Sequence, residues 1–223
     1  LSTGKCISIR SRGATFLYLS IATLGCCISL LSNAAELTVG SKRFTESYIL
    51  AEIIAYAARQ TGEAQVTVKP GLGNTAVVFA ALKSGAIDIY PEYTGTIAQE
   101  LLGGKSGATL ADINRALAPS GLAASVALGF GNTYALALPE TKAEQRGIRS
   151  MSDLARHPDL AFGLSQEFLN RKDGWPALKR AYDLPFAPRG LDHGLAYDAL
   201  ASGRIDVMDI YSTDAKITRY GLR

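Results

Sequence analysis

One block of this sequence occurs twice, and that repeat limits the folds open to the chain. Residues 71–96 read GLGNTAVVFAALKSGAIDIYPEYTGT, and residues 190–213 read GLDHGLAYDALASGRIDVMDIYST. Both run from Gly-Leu through a helical stretch to Ala-Leu-x-Ser-Gly. Both then open a strand with Ile-Asp and close it on a Tyr followed by Ser or Thr. Two such half-units predict two α/β lobes facing each other, with a cleft between them where a small ligand would meet the strand-end tyrosines.

The rest of the pattern agrees with parallel α/β architecture. Residues 37–40 read as a short strand, Thr45 as the cap of a helix that stops at Gly62, and residues 65–69 as a second strand. Asn74 or Thr75 caps a helix ending at Gly85, and residues 87–90 form a third strand. A helix is expected over 93–102, a break over 103–107, a helix over 112–117, and strands over 123–128 and 134–138. In the second half, helices are expected over 152–155, 174–182 and 193–202, and strands over 160–164 and 205–211. The expected organisation is a first lobe over 36–130, a second over 131–213, and a return toward the first lobe beginning at 214–223. That return looks truncated, leaving the first lobe incomplete.

The N-terminal 35 residues read as a secretory signal peptide. Lys5, Arg10 and Arg12 precede an apolar run over 14–31, and Ser32-Asn33-Ala34-Ala35 supplies a small-residue cleavage site after Ala34 or Ala35. A retained membrane anchor is the alternative, because the run has roughly the length that spans a bilayer. Cys26 and Cys27 raise a lipid anchor as a minor option, with a poor lipobox around them. Taking Lys5, Arg10 and Arg12 from the 23 Lys and Arg leaves 20, against 20 Asp and Glu. The basic balance therefore belongs to the leader and does not point to nucleic acid or an anionic membrane surface. Cys6, Cys26 and Cys27, the 3 cysteines of the chain, also precede the cleavage site, so thiol catalysis and cysteine-based metal sites are excluded from the mature part.

Several separated motifs in order carry a family resemblance: SKRFTESYILAE over 41–52, GLGNT over 71–75, DIYPEYTGT over 88–96, NTYALA over 132–137, SQEFLNRKDGW over 165–175 and DIYSTD over 209–214. In these the chain resembles the periplasmic substrate-binding proteins of osmoprotectant ABC transporters, which take up glycine betaine, choline and related quaternary amines. The resemblance implies a two-lobed periplasmic binding protein-like fold of type II, working as a monomer with a membrane permease and without cofactor or metal. It implies an aromatic cage of Tyr93, Tyr134 and Tyr211 for the quaternary ammonium, and Lys42, Thr96 and Arg171 as the groups that hold the ligand carboxylate. Tyr90, Asn132 and Asp209 are expected beside these, as ring supports or as groups facing the cation.

These residue types suit that chemistry. A trimethylammonium group donates no hydrogen bond, and ring faces attract its diffuse charge at about 0.5–2 kcal/mol each. Arg offers a bidentate fork and Lys a point charge for a carboxylate. Each residue also has a plainer reading: a lone Tyr at a strand end as packing, Lys42 and Arg171 as surface charges, residues 71–75 as a helix-opening turn or a weak phosphate cradle. Asp88 with Glu92 as a carboxylate pair, or His193 with Ser and Asp as a triad, keep open a hydrolase on a similar scaffold. A truncated product that transports nothing is a further reading. No catalytic residue is assigned.

Overall fold

The computed structural model describes residues 5–10, 35–104 and 108–223. The apolar run over 14–31, the cleavage site at 32–34, Cys26, Cys27 and the tip of the Gly-rich break at 105–107 lie outside the described residues. Nine strands are present among those described: β1 (Lys5–Arg10), β2 (Ala35–Lys42), β3 (Ala64–Gly73), β4 (Ile89–Tyr93), β5 (Leu122–Ala127), β6 (Tyr134–Ala137), β7 (Phe162–Ser165), β8 (Arg189–Leu191) and β9 (Val207–Tyr211). They form two sheets, ordered β3-β2-β4-β1-β5 and β6-β9-β7-β8. The chain passes from one sheet to the other between Ala127 and Tyr134.

The repeat seen in the sequence is a repeat of packing. In the first lobe β2 is parallel to both β3 and β4; in the second, β7 is parallel to both β8 and β9. The helices Thr75–Ser84 and His193–Ala201 each lead into the Ile-Asp strand. The two aspartates then do the same thing. Asp88 accepts from the Thr38 amide at 2.8 Å, and Asp206 accepts from the Ala161 amide at 2.7 Å. Each also donates its own amide to the carbonyl of that same residue. The two isoleucines are equivalent as well: Ile87 lies over Gly40 of β2, and Ile205 over Gly163 of β7, with Leu72 and Leu191 beside them. A Cβ on Gly40 would sit 2.5 Å from Ile87 Cδ1, and one on Gly163 2.8 Å from Ile205 Cδ1.

Helices cover both faces of each sheet, as parallel strands require. Ile89 packs with Val39, Ala51 and Ala55 on one side of the first sheet, while its neighbour Tyr90 packs with Val78, Leu82 and Ile97 on the other. In β9, Val207 joins Phe162, Leu164 and Trp175, and Met208 joins Ala196, Tyr197 and Leu200. This alternation follows from the period of two along a strand.

Two stretches differ from the sequence reading. Lys5–Arg10, inside the segment assigned to the leader, is a strand between β4 and β5 and antiparallel to both. The edges of those two strands carry backbone groups that need partners, and β1 supplies them. Residues 214–223, expected to begin a return to the first lobe, pack on the second. Ile217, Tyr220 and Leu222 lie against the Tyr197 and Leu200 cluster, and Leu138 and Arg223 exchange backbone hydrogen bonds at 3.0 and 2.9 Å. Burial of three apolar side chains on the nearer lobe holds this segment there. Helix ends move by a residue or two, as at Phe44, which takes the cap position ahead of the helix Thr45–Thr61 in place of Thr45.

Gly40→Ala is expected to destabilise the protein by about 1–3 kcal/mol, because the new methyl overpacks a closed contact. Ile87→Val removes the atom at 2.5 Å and leaves Ile87 Cγ2 at 3.2 Å, so it should recover part of that loss in the double variant. Urea midpoints of the four proteins check this; additive losses would rule out the contact.

Candidate functional site

The strand ends of the two lobes meet across the cleft. Tyr93 closes β4 and Tyr211 closes β9, at equivalent places in the two repeats. Tyr134 opens β6 and lies directly opposite Tyr211 in the antiparallel pair, so their rings approach to 5.1 Å between centroids. Phe168 flanks Tyr134 at 4.8 Å and Phe44 flanks Tyr211 at 4.4 Å. Burial holds the phenols of Tyr93, Tyr134 and Tyr211 well above their ordinary pKa, so the rings are neutral.

Arg171 is positioned by its own loop. It follows the helix Gln166–Asn170, and Gly174 permits the tight turn after it, since a Cβ there would lie 2.3 Å from the Phe168 carbonyl oxygen. That turn brings Asp173 to the guanidinium as a fork, with both N–O distances 2.9 Å. The fork leaves Nη1 facing the other lobe, where it donates to Thr96 Oγ1 at 3.2 Å. Burial works against the guanidinium charge, but the bonds to Asp173 outweigh it and raise the pKa above its ordinary value.

Five of the six sequence-predicted residues line one cavity of about 260 Å³: Tyr93, Thr96, Tyr134, Arg171 and Tyr211. Asn132 lines it too and donates to the Tyr93 hydroxyl at 2.8 Å, so it orients a ring. Lys42 is on the other side of Tyr211, in a neighbouring cavity of about 390 Å³. Its ammonium is paired with buried Glu92 at 2.5 Å and with Thr75 Oγ1 at 3.3 Å. Its charge is thus already matched, because a buried cation needs a partner. Tyr90 is fully buried in the core of the first lobe. Asp209, expected beside the tyrosines, is buried and braces the second lobe. It accepts from the Ser165 amide and hydroxyl at 2.5 and 2.7 Å and faces His193 at 3.8 Å.

Sequence reasoning missed the carboxylates that tie the lobes together. Glu167 of the second lobe accepts from the Thr75 amide and hydroxyl of the first at 3.1 and 3.0 Å, and lies 3.6 Å from Arg171. Glu46 accepts from the Tyr93 and Thr213 hydroxyls, which again come from different lobes. Both glutamates stand inside the quoted motifs, but nothing in a linear pattern tells which partner an acidic residue meets across a cleft. Phe44 was hidden for a similar reason: beside a helix start a Phe reads as core.

Two lobes joined by a hinge-like passage, with aromatic rings and a buried guanidinium between them, define the class of two-lobed solute-binding proteins. Comparison with known proteins agrees. The family described as the substrate-binding domain of ABC-type glycine betaine transport systems matches residues 35–223, and this chain belongs to it. A glycine-betaine-binding protein of Pseudomonas aeruginosa is 36% identical over 225 residues, covering 92% of this chain and 71% of that protein. An ergothioneine transport permease/ergothioneine binding protein of Helicobacter pylori is 32% identical over 223 residues, covering 94% of this chain and 39% of that protein. A crystal structure of a glycine betaine/carnitine/choline ABC transporter protein shares the fold, with a TM-score of 0.53 at 24% identity over 84% of this chain and 73% of that one. The fold is therefore the periplasmic-binding-protein fold, and the role of the family is binding within a transport system rather than catalysis.

His193 lies against the Tyr211 ring at 4.5 Å, with its nitrogens facing Asp209 and Asp214 at 3.8 Å each. Burial opposes its charge; the two carboxylates outweigh that and raise its pKa. Burial likewise pushes Asp214 up, and His193, the Lys216 amide and the Tyr197 hydroxyl together bring it down to about 2. The signs give a window. The stability from Asp214 is present above the ordinary Asp value near 4 and is lost as pH falls toward about 2. The stability from His193 is complete below its ordinary value of 6.5 and is lost as pH rises through its raised value in the folded protein. Urea midpoints are expected to fall on the alkaline side in the unchanged protein, and His193→Asn should flatten that limb. An unchanged limb would show that His193 is neutral in the fold.

Proposed function

We propose that this protein captures a trimethylammonium carboxylate in the cleft between its lobes and delivers it to a membrane permease for import. The observation that carries this reading is the single cavity in which Tyr93, Tyr134 and Tyr211 meet Arg171 and Thr96. Three neutral rings offer faces to a cation that donates no hydrogen bond. At the other end Asp173 holds the Nε and Nη2 edge of the guanidinium, so Nη1, beside the Thr96 hydroxyl, is the donor turned to a carboxylate. Glycine betaine and ergothioneine, the ligands in the names of the two relatives, both combine a trimethylammonium with a carboxylate. Lys42, matched by Glu92, contributes positive charge beside the Tyr93 ring, 5.1 Å from its centroid, rather than a free cation.

Capture works by closure. The groups that touch both ends of the ligand come from both lobes, so the complete site exists only when the lobes meet. Thr75 with Glu167, Thr96 with Arg171, and Arg43 with Asp192 at 3.4 Å are the contacts that close it. The protein acts in the periplasm as a monomer, exported through the N-terminal leader. Removal of the leader takes Lys5–Arg10 out of the first sheet. The exported protein is expected to begin at Ala35 or Glu36, which intact-mass spectrometry of the periplasmic fraction checks; a mass retaining residues 1–34 would overturn export by cleavage.

Arg171→Ala should weaken glycine betaine by about 10- to 150-fold, the worth of a hydrogen bond to a charged group. Choline, which has no carboxylate, should change by less than about threefold by calorimetry. Equal losses for the two ligands would exclude Arg171 as the carboxylate partner.

A further inference from the structure

Each tyrosine that closes a repeat has an ionisable basic group against its ring. In the first repeat this is Lys42, whose ammonium lies 5.1 Å from the Tyr93 centroid and is held by Glu92 and by Thr75, the residue that opens the helix Thr75–Ser84. In the second, the residue that opens the matching helix is itself the basic group. His193 begins the helix His193–Ala201, with its ring 4.5 Å from that of Tyr211. Histidine is the side chain whose charge changes near neutral pH. From this asymmetry we infer that His193 controls the cage by its proton: it acts on the ligand through the Tyr211 ring, and its protonated form loosens the hold on the trimethylammonium. This rests on the reading of the cage given above.

His193 lines the larger cavity and Tyr211 lines both, so the Tyr211 ring stands between His193 and a cation in the cage. The His193 side chain is 11% exposed, and neither ring nitrogen has a hydrogen-bond partner among the described residues. A charge placed there is little screened by water. An imidazolium and a trimethylammonium at one ring draw on the same π-electrons and repel each other, so each weakens the other's hold.

Loss of the proton would unseat Tyr211 only if the two carboxylates beside it had no other anchor. Asp209 accepts from the Ser165 amide and hydroxyl, and Asp214 from the Tyr197 hydroxyl at 2.8 Å and the Lys216 amide at 3.0 Å. Tyr211 is packed against Phe44 and Tyr134 as well. The proton thus changes the charge behind the ring and leaves the ring in place. Of the groups facing His193, Asp214 is held down to about 2 and burial pushes the phenols of Tyr197 and Tyr211 up, so none of these three titrates near neutral pH. Asp209 faces its other nitrogen, Lys216 stands over Tyr197 at 4.5 Å, and at the larger cavity Lys42 is paired with Glu92, Arg43 with Asp192 and Glu167 with Thr75. Burial opposes the charge of His193, but the two carboxylates hold its pKa above the ordinary 6.5. Affinity is therefore lowest below that value and rises as pH climbs through the raised one.

The test is calorimetry of the exported protein with choline, which brings no titrating group of its own to this range, at about pH 5.5 and about pH 9. Kd is expected to fall about three- to tenfold between the two. Between them binding should release protons, read as a dependence of the heat on the ionisation enthalpy of the buffer, because a ligand that disfavours the imidazolium expels its proton. In His193→Asn both effects should vanish. If His193→Asn fails to fold, the proton release of the unchanged protein decides. A Kd independent of pH, binding without proton release, or a pH dependence retained in His193→Asn would overturn control by His193 and leave the cage reading standing. Failure of choline and glycine betaine to bind at either pH to a protein that melts cooperatively would overturn the cage reading, and the control with it.

Discussion

Each lobe depends on one aspartate that spans the gap between two parallel strands. Asp88 and Asp206 take the amide of Thr38 and of Ala161 and return their own amides to the same residues, so the last strand of each repeat is held in register with the first. Because side chains alternate along a strand, a slip of one residue would turn Tyr93 or Tyr211 to the opposite face. The isoleucine before each aspartate fills the space over a glycine of the neighbouring strand, which locks the same register by packing. Two copies of this clamp place two tyrosines at matching strand ends, and the cleft is the space between them.

Around the cleft, charge is balanced residue by residue. Arg171 has Asp173, with Glu167 and Glu100 within 4 Å; Lys42 has Glu92; His193 has Asp209 and Asp214. Buried charges left unmatched would cost several kcal/mol each, so their pairing is what lets such a polar seam close. The same pairing stiffens the seam. Glu46 holds the Tyr93 hydroxyl and Asp173 fixes the fork of Arg171, each within one lobe, so these two side chains are oriented before the lobes meet.

Much of the fold was legible in the linear pattern, because the signals that set it are local. Alternation marked β3, the Ser-Gly stops marked the ends of two helices, and the repeated Ile-Asp marked two strands. The helix Glu140–Arg146 was not legible, because Pro139 at its cap gives no side-chain signal of the kind that Ser150 and Asp153 give the shorter helix Met151–Leu154, and β8 is too brief for a period to show. The family motifs picked out Tyr93, Tyr134, Tyr211 and Arg171, which line one cavity. They did not separate Lys42 from the others, since whether two residues share a cavity depends on which side of Tyr211 each one reaches.

The sequence by itself determined that this chain builds two similar α/β lobes and that a tyrosine closes the repeated strand of each, since both follow from short-range periodicity and a repeated motif. Only the tertiary structure decided how those groups are used. It set Lys42 against Glu92, drew Glu46, Glu167 and Phe44 into the cleft, kept residues 214–223 on the second lobe and divided the cleft into two cavities at Tyr211. Those outcomes depend on contacts between residues far apart in the chain, formed when burial and charge pairing bring the two lobes together.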